Sequence, residues 1–205
     1  MARKTKAQAQ ETREQILDAA EQLFFECGVT QTSLEHVAEA AGVTRGAIYW
    51  HFANKVDIFR ALHERVRLPQ EDIVEQVVAD GHPDPLGFIE QTTLGCLKII
   101  TTDERRQRVY AILLFRCEYV GEMAEALKRQ QDADTMMRDN MVRIFTMARE
   151  NRSLSAIWTP DIAARAFASM IRGLWADWLR YGQDFDLLKV GSQCVVELFN
   201  TFRRI

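Results

Sequence analysis

An all-α architecture follows from three features of this 205-residue chain. Apolar residues recur at helical spacing along nearly its whole length. No stretch alternates in the manner of a strand. The 10 Gly and 4 Pro are too few for a chain built of tight turns. At 47% hydrophobic and 27% charged, the composition suits a globular protein that buries its core without disulfides or metals.

The first helix begins between Thr5 and Thr12, carries Ile16, Leu17, Ala20, Leu23 and Phe24 on one face, and stops at Gly28. Thr32 opens the second. Thr32-Ser-Leu-Glu35 reads as a capping box, Leu34, Val37, Ala38 and Ala41 form the apolar stripe, and Gly42 supplies a left-handed turn. Thr44 caps a short third helix ending near Phe52. Asn54 caps a fourth, with Ile58, Phe59, Leu62 and Val66 inward. It runs on as a connector over 54–79, kinked or broken at Pro69, which removes a backbone hydrogen bond. A polar loop follows over 79–85. Further helices are expected at 85–101, 104–118, 122–150, 160–181 and 184–203, about nine in all, with Thr159 and Pro160 opening the one at 160–181. The predicted division is a three-helix unit over 1–53 and a larger helical domain over 54–205, with the connector shared.

Several function classes fall away. The net charge is −3, so any contact with nucleic acid needs a local patch. Residues 1–65 hold 8 Lys and Arg against 9 Asp and Glu, so folding must turn Glu14, Asp18, Glu21, Glu26 and Glu39 away from such a patch. Cys27, Cys96, Cys117 and Cys194 form no C-x-x-C pair and are expected as reduced, mostly buried thiols. No apolar run approaches a membrane span and no hydrophobic segment follows the basic start, so a soluble cytoplasmic protein without a signal peptide is expected. His36, His51, His63 and His82 are scattered. There is no Glu-x-x-His pair, G-x-S-x-G, phosphate loop or dinucleotide fingerprint, so neither catalysis nor a metal or cofactor is expected.

Residues 32–52, TSLEHVAEAAGVTRGAIYWHF, carry the strongest motif: two short capped helices joined by Ala-Gly-Val, the spacing of a DNA-binding helix-turn-helix. On the second helix Ile48 and Phe52 share one side, with Thr44 and His51 near it, whereas Gly46, Tyr49 and Trp50 point the other way. An exposed Tyr-Trp pair beside Arg45 and a glycine suits a surface that lies on a duplex. Gly46 permits close approach, Arg45 can donate two hydrogen bonds to a guanine edge, and the aromatic tips reach phosphates. Thr32 and Ser33 at the start of the second helix, Lys55 at the start of the fourth, and Arg3, Lys4, Lys6 and Arg13 in the tail add donors.

The stretch ILDAAEQLFFECGVTQTSLEHVAEAAGVTRGAIYWHFANKVDIF resembles the N-terminal region of the TetR family of bacterial transcriptional regulators, most specifically in GVTRGAIYWHF followed by NK. The opening ARKTK…ETREQIL and RCEYVGEM at 116–123 are similar to the AcrR-type branch, which represses multidrug efflux operons. The resemblance implies a ligand-released repressor that binds double-stranded operator DNA as a homodimer. It implies base contacts from Arg45 and Gly46, and phosphate-contacting or helix-positioning roles for Thr32, Ser33, Thr44, Tyr49, Trp50, His51 and Lys55. For His51 the alternative is a bridge from the third helix to the core. The resemblance also implies an effector cavity among the fourth to eighth predicted helices.

Candidates for that cavity come from the residues. Phe167, Ala168, Ile171 and Trp175 share an inward face with Arg172 beside it, and Met136, Met137, Met141 and Met147 give 122–150 an adaptable surface. Tyr110, Leu113, Leu114 and Cys117 line one side of 104–118. Plain core packing is the alternative for each. The expected effector is small and lipophilic. Arg172 beside Trp175 suits planar or anionic compounds, and Glu118 or Glu71 would suit cations. In the last helix Leu187, Leu188, Cys194, Val195, Leu198, Phe199 and Phe202 recur at helical spacing. Part of that face is expected to cover the core and part to form a two-fold four-helix interface. The competing functions are a regulator of an unrelated metabolic operon, a sequence-tolerant DNA-packaging protein and a helical-bundle enzyme.

Overall fold

The computed structural model describes residues 6–67 and 69–203. Among them are ten α-helices, one more than expected: α1 (Lys6–Cys27), α2 (Leu34–Ala40), α3 (Arg45–His51), α4 (Lys55–Arg65), α5 (Pro69–Asp80), α6 (Pro85–Thr102), α7 (Glu104–Phe115), α8 (Ala124–Glu150), α9 (Pro160–Arg180) and α10 (Leu187–Phe202). A 3₁₀ turn, Gly121–Met123, precedes α8. The described residues contain no strand, only an isolated antiparallel bridge between Leu154 and Arg203. No helix among them is long and apolar enough to cross a membrane.

The additional helix arises at Pro69. A proline within a helix clashes with the carbonyl four residues earlier, here that of Arg65, and donates no hydrogen bond. The fourth helix therefore ends at Arg65, with Val66 donating to the His63 carbonyl at 3.1 Å, and Pro69 becomes the first residue of α5, where a missing donor is harmless. The connector expected over 54–79 is thus two helices.

The chain divides into two compact units. Residues to Val66 together with 108–129 form one, and 67–107 with 130–205 form the other. In the first, α1 supplies Ile16, Leu17, Ala20 and Phe24. These pack with Val37, Ile48, Ile58 and Leu62 and with Val109 and Ile112 of α7. Ser33, Thr44 and Asn54 cap α2, α3 and α4 by accepting from the amides of His36, Ala47 and Asp57. The turn between α2 and α3 is a Schellman motif. Gly42 sits at φ 65°, its amide donates to Glu39, and the Val43 amide donates to Ala38. A side chain at Gly42 would strain that backbone.

The second unit is organised on α6 and α10. They approach closely because Gly191 faces Leu97, whose methyl carbon lies 3.1 Å from where a Cβ would stand. Around them Phe145, Phe167, Phe199, Phe202 and Trp158 form an aromatic cluster with centroids 5.0–5.6 Å apart along Phe145–Phe202, Trp158–Phe202, Phe199–Phe202 and Phe167–Phe199. Asp84, Thr159 and Asp186 cap α6, α9 and α10. Asp186 explains why the last helix starts at Leu187 and not at 184. The 104–118 helix likewise stops at Phe115. There the Arg116 carbonyl turns to accept from Val29 at 2.9 Å, and the Tyr119 hydroxyl donates to Leu113 at 2.7 Å.

Candidate nucleic-acid interface

Helix α3 has seven residues and buries one of them, Ile48. Phe52 follows, also buried. One helical step away, Tyr49 is 43% exposed and Trp50 72%. The two rings form an exposed aromatic patch on a short capped helix, a surface open to contact. Gly46 is exposed between them and Thr44, with no heavy atom nearer to its would-be Cβ than the Thr44 hydroxyl at 4.0 Å. The Arg45 side chain is 72% exposed. Its guanidinium stands 5.7 Å from the centre of the Tyr49 ring, a cation–π distance.

A residue that sequence reasoning treated only as a helix cap completes the group. Glu35, in the first turn of α2, lies 3.3 Å from Nη2 of Arg45 and accepts from the Tyr49 hydroxyl at 3.3 Å. Its carboxyl is held below the usual carboxylate range, first by its own backbone amide and then by Arg45, Tyr49 and Ser33, against an opposing effect of desolvation. Spacing rules pair residues three or four apart on one helix, so nothing in the local pattern of α2 pairs this carboxylate with a residue of α3.

The remaining candidates separate. Ser33 and Thr44 are the caps of the two motif helices. Thr32 is not a cap: it is buried and its hydroxyl donates to the Gly28 carbonyl at 2.8 Å. The expected capping box is therefore absent. Ser33, whose own position N3 is His36, does the capping and Thr32 locks the preceding turn. His51 is half-buried, edge-on to Trp50 at 4.5 Å and 6.4 Å from the Phe52 ring. It lines a cleft of about 370 Å³ together with Arg13, Phe52, Asp57 and Arg60. Of the two roles expected of Lys55, its contacts suit helix positioning. Its ammonium donates to the carbonyls of Val29 at 3.3 Å and Thr30 at 3.4 Å and pairs with Glu122 at 3.0 Å, leaving the side chain 15% exposed. It ties the α1–α2 loop to the 3₁₀ turn and turns away from solvent. Arg3 and Lys4 lie outside the described residues. Arg13 leans over the Phe52 ring at 5.1 Å, and Lys6 is exposed.

Three of the acidic residues expected to turn away from a nucleic-acid patch are paired within the unit. Arg65 pairs with Glu14, its Nε donating at 2.9 Å, and with Asp18 at 2.9 Å, while Arg108 pairs with the buried Glu21 at 2.7 Å. Much of the negative charge of α1 is thus neutralised within the unit.

The helix-turn-helix and the all-α plan are those of a known family. Residues 16–62 match the model for bacterial regulatory proteins of the tetR family, and residues 84–203 match the C-terminal region of MAATS-type transcriptional repressors. The chain belongs to the TetR family. This TetR-family repressor is 41% identical over 201 residues to the HTH-type transcriptional repressor BepR of Brucella suis biovar 1 (strain 1330), covering 98% of this chain and 96% of that one. It superimposes with a TM-score of 0.84 on NalD, the secondary repressor of the MexAB-OprM multidrug efflux pump in Pseudomonas aeruginosa, at 38% identity over 96% of this chain and 98% of NalD. It also matches the SmeT–triclosan complex, SmeT being the repressor of the Stenotrophomonas maltophilia efflux pump SmeDEF, with a TM-score of 0.83 at 30% identity over 95% and 92% of the two chains. TetR-family members are regulators that bind DNA and are not enzymes. No group of three or more His, Cys, Asp or Glu that could hold a metal occurs among the described residues.

The effector candidates belong to both units. Leu113 is buried in the core of the first unit, and Tyr110 and Cys117 pack against that core. Leu114 is exposed. Met141 is buried in the second unit, Met137 is half-buried and Met136 exposed. On α9, Phe167 packs on Phe199, and Ala168, Ile171 and Trp175 are half-buried. Arg172 turns outward to Asp134 of α8 at 3.5 Å, so it is a surface ion pair and not a flank of an inward face. A groove of about 370 Å³ along α8 is lined by Asp132, Thr135, Met136, Asp139, Asn140 and Arg143, too polar a set for a lipophilic wall. Glu118 is exposed, and the Glu71 side chain lies outside the described residues. The thiols are less buried than expected: Cys27 is exposed and the other three are half-buried. Burial pushes the Cys117 thiol up to about 11, with Lys55 opposing and Glu118 adding to the shift, which makes it a poor nucleophile at neutral pH.

Proposed function

We propose that this repressor is a homodimer that occupies an operator in front of multidrug efflux genes and is released from it by a small lipophilic effector. The observation that carries the DNA half of this reading is the outward Arg45–Tyr49–Trp50 surface on a capped helix, with Gly46 at its centre. Arg45 would read a guanine edge, Gly46 would let the backbone approach, and Tyr49, Trp50, Ser33 and Thr44 would meet the sugar-phosphate backbone. Thr32, His51 and Lys55 would act by positioning the motif. Two copies of α3 spaced about 34–36 Å apart would meet successive major grooves.

For the dimer, support comes from apolar side chains left uncovered, Ile162 on α9, Tyr181 just past its end, and Leu188, Val190 and Val196 on α10. For the effector, support comes from the names of the relatives, efflux-pump repressors, one in complex with triclosan. Within this chain the half-buried Met137, Ala168, Ile171 and Trp175 are the residues proposed to meet it, with Met141 behind them. Release requires the effector to favour the DNA-incompetent state. A coupling of about 1–3 kcal/mol corresponds to roughly 5–150-fold in affinity. The 116–123 segment, held to the α1–α2 loop by the Val29–Arg116 hydrogen bond and by Lys55–Glu122, is a route by which movement of α7 or α8 reaches the motif. A repressor working on chromosomal operators would act in the cytoplasm.

The test is a fluorescence-anisotropy titration of a duplex enriched from genomic fragments by the purified protein, with and without triclosan and a panel of efflux substrates. Weaker binding with at least one compound is expected. Equal affinity with every compound would remove the efflux reading and leave a regulator answering another signal.

A further inference from the structure

We propose that Glu35 is a specificity-determining residue that acts by positioning Arg45 on the DNA-reading surface. The inference rests on the reading of Arg45 as a base contact. The carboxylate stands among the residues offered to DNA and is absent from the internal pairs that absorb Glu14, Asp18 and Glu21. A lone carboxylate there would do one thing: repel phosphates and weaken binding to every sequence alike. Glu35 is not alone. One oxygen lies 3.3 Å from Nη2 of Arg45 and accepts from the Tyr49 hydroxyl at 3.3 Å, while the Arg45 guanidinium faces the Tyr49 ring at 5.7 Å. Arg45 is thereby held between a carboxylate from α2 and a ring from its own helix, one turn on. Both helix starts are capped, and the Schellman turn joins them rigidly.

Two consequences follow from that geometry. A guanidinium has five donors, so the pair with Glu35 leaves others for the O6 and N7 of a guanine. An exposed arginine loses rotamer freedom when it docks, and here the carboxylate and the ring take part of that loss before the duplex arrives. A phosphate competing for Arg45 must approach the Glu35 charge, whereas a guanine edge brings two neutral acceptors. The charge stays in place near neutral pH, because its backbone amide and neighbours keep the carboxyl ionised. Glu35 therefore lowers affinity for DNA at large more than it lowers affinity for the preferred site.

Glu35→Gln tests this, because it keeps an acceptor for Arg45 and Tyr49 and removes the charge. The full-length protein is titrated by anisotropy with two probes: a duplex enriched from a random-sequence pool by the wild-type chain, and poly(dI–dC). The ratio of the two affinities is expected to fall about fivefold, the upper end of what an exposed ion pair supplies, and the salt dependence for poly(dI–dC) is expected to steepen by roughly 0.9 in log–log slope. The penalty for mutating the base pair that Arg45→Ala relaxes should shrink in Glu35→Gln and stay unchanged at other positions. In an Arg45→Ala background Glu35→Gln should leave all base preferences as they are. Glu35→Asp, which keeps the charge and shortens the reach, should also reduce the penalty at that base pair. A uniform gain in affinity on both probes, with the base-pair penalty intact, would reduce Glu35 to simple repulsion and overturn the proposal. If Arg45→Ala itself relaxes no base pair, the assignment of Arg45 as a base contact fails, and the role of Glu35 falls with it.

Discussion

Helices α3 and α9 both mix aromatic, small and basic residues, yet they differ in how their faces are determined. In α3 seven residues suffice. A cap at Thr44, one buried anchor at Ile48 and a stop at Phe52 leave Tyr49 and Trp50 nowhere to go but outward. In α9 twenty-one residues present a broad apolar face, and the exposure of each depends on the neighbour it meets. Phe167 is covered by Phe199, while Ile162, earlier on the same helix, is 57% exposed. A short element at the edge of a small unit shows its function in its own angles. A long one inside a bundle shows it only through its partners.

The sharpest way to break this comparison is in the aromatic cluster of the second unit. Phe199 is fully buried and touches Phe145, Phe167 and Phe202, so Phe199→Ala should cost about 3–5 kcal/mol in urea unfolding. A loss under about 1 kcal/mol would mean that this cluster does not organise the second unit. Next comes the pair Arg45 and Lys55. Arg45→Ala should weaken binding to the preferred duplex by about 1–3 kcal/mol and relax one base pair, with the unfolding midpoint unchanged. Lys55→Ala should do the reverse. It leaves the Val29 and Thr30 carbonyls and Glu122 without their shared cation, which should destabilise the protein by about 1–3 kcal/mol while the salt slope of DNA binding stays the same. A salt slope lowered by about one at unchanged stability would restore Lys55 as a phosphate contact.

Smaller effects refine the motif. Ser33→Ala should lose about 1 kcal/mol of stability through the cap of α2. Thr32→Val, which keeps the shape and deletes only the hydroxyl bonded to Gly28, separates the turn from the cap; it should lower the unfolding midpoint without changing the helix boundary seen by amide exchange. The smallest effect is at alkaline pH. Because the Cys117 thiol is pushed from 9.0 to about 11 in the folded chain, the unfolded thiol ionises first. Its contribution to stability is constant below pH 9 and declines as pH rises from 9 toward 11. Cys117→Ser should flatten that part of the stability profile, and an equal decline in the variant would assign it to other groups.

Local chemistry carried most of the architecture. The caps at Thr44, Asn54 and Thr159 and the left-handed turn at Gly42 involve residues within five positions of one another, and each is found where its pattern places it. The same holds for the outward direction of Tyr49 and Trp50. The exceptions are choices between adjacent residues that a pattern treats alike. Thr32 and Ser33 are both good caps, and burial of the threonine against Gly28 decided between them. Pro69 allowed a kink or a break, and the chain broke there.

Long-range meetings lay beyond what spacing expresses. Lys55 finds carbonyls of Val29 and Thr30 and the carboxylate of Glu122, and Glu35 finds Arg45 and Tyr49 across a turn. Residue order set which helices form and which of their faces repel water, because propensity, capping and periodicity act over a few positions. Folding chose where each charge ends up, because an ion pair is made by whichever groups the packed backbone brings within about 4 Å, however far apart they lie along the chain.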